Sequence, residues 1–147
     1  MISVADVLKA IADDNSVALF NTVALYNGES EIFISKLKLT RKQFYSRLHV
    51  MQSVGLVKRE KGRYSLTPLG KILYHAQELI GKGVSCYWNL KAIDSIRTSD
   101  NDQVPEEQFL RIIDNLVSDQ EIKDILLKPS KESLEREVLP NIRSRMK

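Results

Sequence analysis

At 147 residues, with 43% hydrophobic and 28% charged side chains, the chain suits one domain, or one small domain with an appendage for oligomerisation, and its apolar content excludes a disordered chain. Its single cysteine, Cys86, excludes an internal disulfide framework and a cysteine-only metal cage within one chain, which fits a reducing cytoplasm. The net charge of +3 is unevenly spread: residues 1–34 carry one Lys against five acids, residues 35–75 ten Lys and Arg against one acid, and residues 76–147 eleven against thirteen, so a polyanion footprint is expected in the middle.

Ser3 to Asp6 has the form of a capping box with Asp in place of Glu, and Val4, Val7, Leu8 and Ile11 come after it at helical spacing. Asp13-Asp14-Asn15-Ser16 breaks that short helix and offers caps for a second, in which Val17, Leu19, Phe20, Val23 and Ala24 face inward. Tyr26-Asn27-Gly28 closes it. From Ser30 to Leu37, Ile32, Phe33 and Leu37 are read as one helical face with Lys36 outward; the run Ile32-Phe33-Ile34 is also compatible with a short strand, and helix is preferred because a tight turn and a second capped helix come directly after Leu37.

Lys38-Leu39-Thr40 makes that turn. Thr40 caps the new helix over about 40–54, with Phe44, Leu48 and Met51 on one side and Arg41, Lys42, Gln43, Tyr45, Ser46, Arg47, His49 and Gln52 on the others. Two short helices joined by a few residues, the second polar on its outer face, form the helix-turn-helix pattern. Gly55 sits where a left-handed backbone ends a helix, and Leu56 packs back on it. Val57–Glu60 and Arg63–Leu66 then read as two strands around Lys61-Gly62, and Thr67-Pro68 restarts helix with Pro at its first position.

Residues 30–73 therefore resemble the winged helix-turn-helix domain of prokaryotic and archaeal transcription regulators of the ArsR-like and MarR-like kind. The resemblance rests on Leu48, Met51, Gly55, Leu56 and Val57, which match a Leu-X-X-Leu-X-X-X-Gly-Leu-Val run at the end of the recognition helix, and on Tyr64 to Gly70, a Tyr-X-Leu-Thr-Pro-X-Gly run leaving the wing. It implies a mainly α fold with a small β-hairpin wing, in which residues 1–75 form the DNA-binding domain. The paired cysteines of arsenic-sensing members have no counterpart in the helix over 40–54, so metal sensing there is not implied.

Beyond Pro68 apolar positions recur to about Ile96. Unbroken, this helix over 68–97 would be a rod of about 45 Å. Gly81 and Gly83 offer places to bend it, while the spacing 69-73-76-80-83-87-90 approximates the seam of paired helices. The resemblance implies a dimer made by this helix, with Leu73, Ala76, Ile80, Val84, Tyr87 and Trp88 as its contacts. Tyr74, Tyr87 and Trp88 are open to a second reading as the lining of a ligand pocket. Thr98 to Pro105 reads as a polar linker. Residues 105–147 form a helical extension, with one helix through Phe109 to Val117, another through Ile122 to Leu127 begun at Ser118 or Asp119, and a charged tail carrying Leu134, Val138, Leu139 and Ile142. That tail is read as either a lid on the long helix or an arm exchanged between partners.

The expected function is sequence-specific binding of double-stranded DNA by a transcriptional regulator. Arg41, Gln43, Tyr45, Ser46 and Arg47 are placed to read the major groove, since Arg can hold guanine and Gln adenine with two hydrogen bonds each. Thr40, Lys42 and His49 join that surface; Lys36 and Lys38 approach phosphate from the first helix and turn, and Lys58, Arg59, Lys61 and Arg63 touch backbone or minor groove from the wing. The alternative is a winged-helix protein–protein interaction module of the transcription machinery. No nucleophile motif, Gly-rich phosphate loop or carboxylate pair in an apolar setting is found, so neither catalysis nor a cofactor is expected. His49 and His75 lie on different helices, which argues against a metal site, and Cys86 is read as a small buried hydrophobe rather than a redox sensor. With no run of roughly 18 apolar residues and no leader-like start, a cytoplasmic protein is expected.

Overall fold

The computed structural model describes residues 1–98 and 104–128, which are mainly helical with one small antiparallel sheet. The middle of the Thr98–Pro105 linker and the tail bearing Leu134, Val138, Leu139 and Ile142 lie outside the described residues. The chain divides into two compact units, residues 1–78 and 79–147.

In the first unit the first, second, fourth and fifth helices start where a side chain satisfies a free N–H group of the first turn, while the third starts at Glu29 without one. Ser3 and Asp6 exchange hydrogen bonds to open α1 (Val4–Ala10), and Asp13 accepts from the Ser16 amide at 3.0 Å to open α2 (Asp14–Leu25). Burial on α1 centres on Ala10, with Val7 and Ile11 beside it. Val4 and Leu8 are exposed, contrary to the inward face read from their spacing, because a helix of seven residues has one narrow buried stripe and these two flank it. Leu19, Phe20 and Val23 of α2 are fully buried at the centre of the unit.

A two-residue strand, β1 (Gly28–Glu29), precedes α3 (Ser30–Leu37). In α3 the inward stripe is Ser30, Phe33, Ile34 and Leu37, the i, i+3, i+4, i+7 pattern, which leaves Ile32 exposed rather than on the shared face expected for it. Lys38 ends α3 in the left-handed region at φ 52°, Leu39 is buried, and Thr40 opens α4 (Arg41–Ser53). Phe44, Leu48 and Met51 form the buried side of α4 as their spacing predicts. The Phe44 ring lies 6.5 Å from Phe33 and 6.2 Å from Tyr64, so α3, α4 and the sheet meet on one aromatic cluster. Burying each such ring stabilises the fold by about 1.5–3 kcal/mol.

Gly55, at φ 77°, turns the chain out of α4, and the Leu56 amide donates back to the Met51 carbonyl at 2.9 Å. β2 (Val57–Glu60) and β3 (Arg63–Leu66) come next, joined by Lys61 at φ 52° and Gly62 at φ 79°, the two left-handed positions of a type I′ hairpin turn. The sheet has the order β1-β3-β2, with Gly28 opposite Tyr64 and Arg59 opposite Tyr64 on the other side. The hairpin matches expectation; its third strand, β1, was not foreseen.

Thr67 then caps α5 (Pro68–Ser85), its hydroxyl accepting from the Gly70 amide at 3.0 Å. The unbroken rod expected to Ile96 divides at Cys86, where α5 ends and α6 (Tyr87–Thr98) begins. Gly81 and Gly83 lie inside α5. At the break the Ser85 hydroxyl donates to the Lys82 carbonyl at 2.8 Å and the Cys86 thiol to the Gly83 carbonyl at 3.6 Å, side-chain bonds that compete with the helical ladder.

In the second unit α6, α7 (Glu106–Leu116) and α8 (Gln120–Leu127) enclose Ile93, Ile113, Val117 and Ile122, with Leu79, Cys86 and Leu90 packed against them. Asp119 caps α8, one of the two starts anticipated for it. Lys82 bridges Asp119 at 3.1 Å and Glu121 at 3.3 Å, and the Asn89 amide donates to the Leu116 carbonyl at 2.8 Å.

Candidate nucleic-acid interface

The surface that carries most of the expected contacts belongs to α4. Its buried residues Phe44, Leu48 and Met51 fix which side of the helix turns outward. Lys42, Ser46, His49 and Ser53, spaced by four, three and four residues, run along the middle of the exposed side, with Tyr45 on one flank and Val50 on the other. Tyr45 is 44% exposed, and its ring stands edge-on to Phe44 at 5.0 Å, so the core orients it. Val50 is 43% exposed and was not foreseen as part of this surface. The signal for it was available: Val50 falls four residues after Ser46, beside the outer stripe.

Three residues expected to read bases are engaged within the chain. Gln43 closes the capping box, its side-chain oxygen accepting from the Thr40 amide at 3.0 Å while its own amide donates to the Thr40 hydroxyl at 3.2 Å. Both Thr40 and Gln43 are thus fixed by helix initiation. Arg47 does not join the outer stripe. Only 25% of its side chain is exposed; its Nε lies 3.3 Å from an Asp13 carboxylate oxygen, and a guanidinium nitrogen lies 3.5 Å from the Gln43 carbonyl. It ties α4 to the start of α2 rather than standing free beside the other expected base readers. Arg41 pairs with Glu31 of α3 at 3.0 Å, but 71% of its side chain is exposed, and an ion pair so open to water stabilises by at most about 1 kcal/mol. Arg41 is therefore cheap to release.

Asp13 is the anchor for Arg47. Its carboxyl is held below the ordinary aspartate range chiefly by the Ser16 hydroxyl, then by the Ser16 amide and Arg47. The same carboxylate starts one helix and pins another.

The sheet sorts the remaining cations. Glu29, Arg63 and Glu60 are cross-strand neighbours, so Arg63 stands between two glutamates, and Lys58 pairs with Glu60 at 2.9 Å. Lys58 and Arg63 thereby face neutralising partners. Arg59 lies over the Tyr64 ring at 5.5 Å, Lys36 over the Tyr26 ring at 3.4 Å, and Lys38 and Lys61 are presented at left-handed turns. Exposed Lys71 on α5 adds a cation outside the expected set. No group of three or more His, Cys, Asp or Glu side chains placed to hold a metal occurs among the described residues.

Of the residues expected at a dimer seam, Leu73 is corrected. It is 7% exposed and belongs to the core of the first unit, so most of its side chain is spent within the chain. Ala76 is exposed in that unit, and Ile80, Val84, Tyr87 and Trp88 are exposed in the second. Tyr74 packs on Phe20 at 6.4 Å within the first unit, whereas Tyr87 and Trp88 touch each other at 5.2 Å within the second. No helix of the described residues is long and apolar enough to cross a membrane. Compared with known family models, curated proteins and solved structures, the chain matches none.

Proposed function

We propose that this chain is a winged helix-turn-helix protein that binds double-stranded DNA in a sequence-dependent way and regulates transcription as a homodimer. In this reading α3, its three-residue turn and α4 are the helix-turn-helix, α4 enters the major groove, and the β2–β3 hairpin is the wing. The observation that carries it is the outer stripe of α4. Lys42, Ser46, His49 and Ser53, flanked by Tyr45 and Val50, are exposed on a helix whose opposite side is locked into the aromatic core. A helix of about 10–12 Å diameter fits a major groove about 12 Å wide. Lysines at both turns of the same unit, Lys38 and Lys61, are available for phosphate, and Arg41 joins them once it leaves Glu31.

The exposed apolar side chains of the second unit, Ile80, Val84, Tyr87 and Trp88, support the homodimer. Two reading helices would then sit about 34 Å apart, one turn of DNA. Fluorescence anisotropy of labelled duplexes at several salt concentrations tests the reading, using wild type and a Lys42→Ala/His49→Ala double variant. Wild type is expected to bind with affinity that falls steeply with salt, and the variant to bind the same duplexes more weakly. Absence of binding to every genomic duplex at low salt would overturn it.

A further inference from the structure

Sequence reading at a DNA interface is commonly carried by two-pronged side chains, arginine on guanine and an amide on adenine. On α4 those side chains have other work. Gln43 is closed into the capping box, Arg47 is held on Asp13 and the Gln43 carbonyl, and Arg41, loosely paired with Glu31 at the helix entrance, goes to phosphate in the reading above. The remaining amide, Gln52, is half-buried in the last turn. The outer stripe is left with one ammonium, two hydroxyls and an imidazole, flanked by a phenol ring and an isopropyl group.

Val50 lies outside the core of the first unit and the side chains packed against that core. In the last turn of α4 this β-branched side chain is a poorer helix former than alanine and, at 43% exposure, recovers only part of that through packing. Tyr45 is different in kind: its ring is oriented by Phe44 and presents its remaining surface without further loss of side-chain freedom. Among the groups a major groove displays, the one apolar feature is the 5-methyl of thymine. We propose, resting on the DNA-binding reading above, that Val50, assisted by Tyr45, selects thymine by contact with this methyl group, and that the recognised site is specified more by its thymines than by guanines.

The test is a cycle of protein and DNA changes on a duplex selected from a random pool by the wild-type protein. Each thymine is replaced in turn by deoxyuridine, which removes the methyl and nothing else, and binding is measured for wild type and Val50→Ala. Alanine is the better helix former, so this variant is expected to melt no lower than wild type, and thermal unfolding verifies it. Burying one methyl corresponds to about 0.8 kcal/mol, or about a 4-fold change in affinity. Wild type is expected to lose about that factor at one thymine or more. Val50→Ala is expected to bind the thymine duplex correspondingly worse and to be indifferent to the methyl at that position. If the pool yields no selected duplex, the DNA-binding reading itself fails. If a selected duplex is bound equally with thymine and deoxyuridine at every position, or if Val50→Ala responds to the methyl as wild type does, DNA binding stands and the role of Val50 is overturned.

Discussion

Arg41 and Arg47 carry the same charge on the same helix, and their surroundings give them different tasks. Arg47 is three-quarters buried on Asp13, so Arg47→Ala is expected to lower the unfolding midpoint in denaturant while leaving DNA sequence preference unchanged. Asp13→Ala removes the α2 cap as well and should cost about 0.5–2 kcal/mol. The pH dependence is set by the direction of the Asp13 shift. Its carboxyl is more acidic folded than unfolded, so its contribution is complete above the ordinary aspartate value of 3.8 and is lost as pH falls through the lower, folded value. The stability difference between wild type and Asp13→Asn should therefore be constant at neutral pH and shrink below pH 3.8. At this scale Thr40 and Gly55 were legible in the sequence because a cap acts within three or four residues. The engagement of Arg47 was not, since its partner lies 34 residues earlier.

Among the elements, the two turns beside the proposed interface hold strained backbone. Lys38 and Lys61 occupy left-handed conformations that cost a side-chain-bearing residue about 1–2 kcal/mol relative to glycine. Lys61→Gly is expected to raise stability by about 1 kcal/mol while reducing the salt slope of DNA binding by about one unit, the signature of a lysine retained for contact rather than for folding. Glycines of α5 offer a contrast. A Cβ at Gly70 would lie 2.1 Å from the Leu56 carbonyl oxygen, so Gly70→Ala should destabilise by about 1–3 kcal/mol or prevent folding. Among the described residues nothing lies within 4 Å of a Cβ at Gly81, and Gly81→Ala should stabilise the helix by up to about 1 kcal/mol; denaturant titrations of both variants check the pair. The hairpin was readable because Lys61-Gly62 and Thr67-Pro68 bracket it with strong turn and start signals. β1 was not, because two residues cannot show a period of two. The break at Cys86 falls beyond the glycines, where the Ser85 hydroxyl and the Cys86 thiol donate to carbonyls three residues back, bonds that composition does not mark.

For the whole molecule, Leu73 shows why an apolar seam is hard to assign from spacing. The same three- and four-residue intervals serve a helix packing on its own domain and a helix packing on a partner, and Leu73 is spent on the former. The proposed homodimer now rests on Ile80, Val84, Tyr87 and Trp88, and light scattering at micromolar concentration should give a mass near twice 16.8 kDa. Trp88, 74% exposed, is the sharpest probe: Trp88→Glu should shift the mass toward the monomer without lowering helical content. The charge distribution, legible from sequence, overstates the footprint. Of the ten cations in residues 35–75, Arg41, Arg47 and Lys58 are ion-paired and Arg63 is flanked by glutamates, which leaves Lys36, Lys38, Lys42, Arg59, Lys61 and Lys71.

The most direct measurement is selection of bound duplexes from a random DNA pool, with the selected duplex then titrated against salt. A shared motif should emerge, bound with a log–log slope of about −6 per protomer, from these six cations and the released Arg41 at about −0.9 each. Recovery of no motif, with binding no tighter than to unselected DNA, would contradict the assignment of α4 as a reading helix.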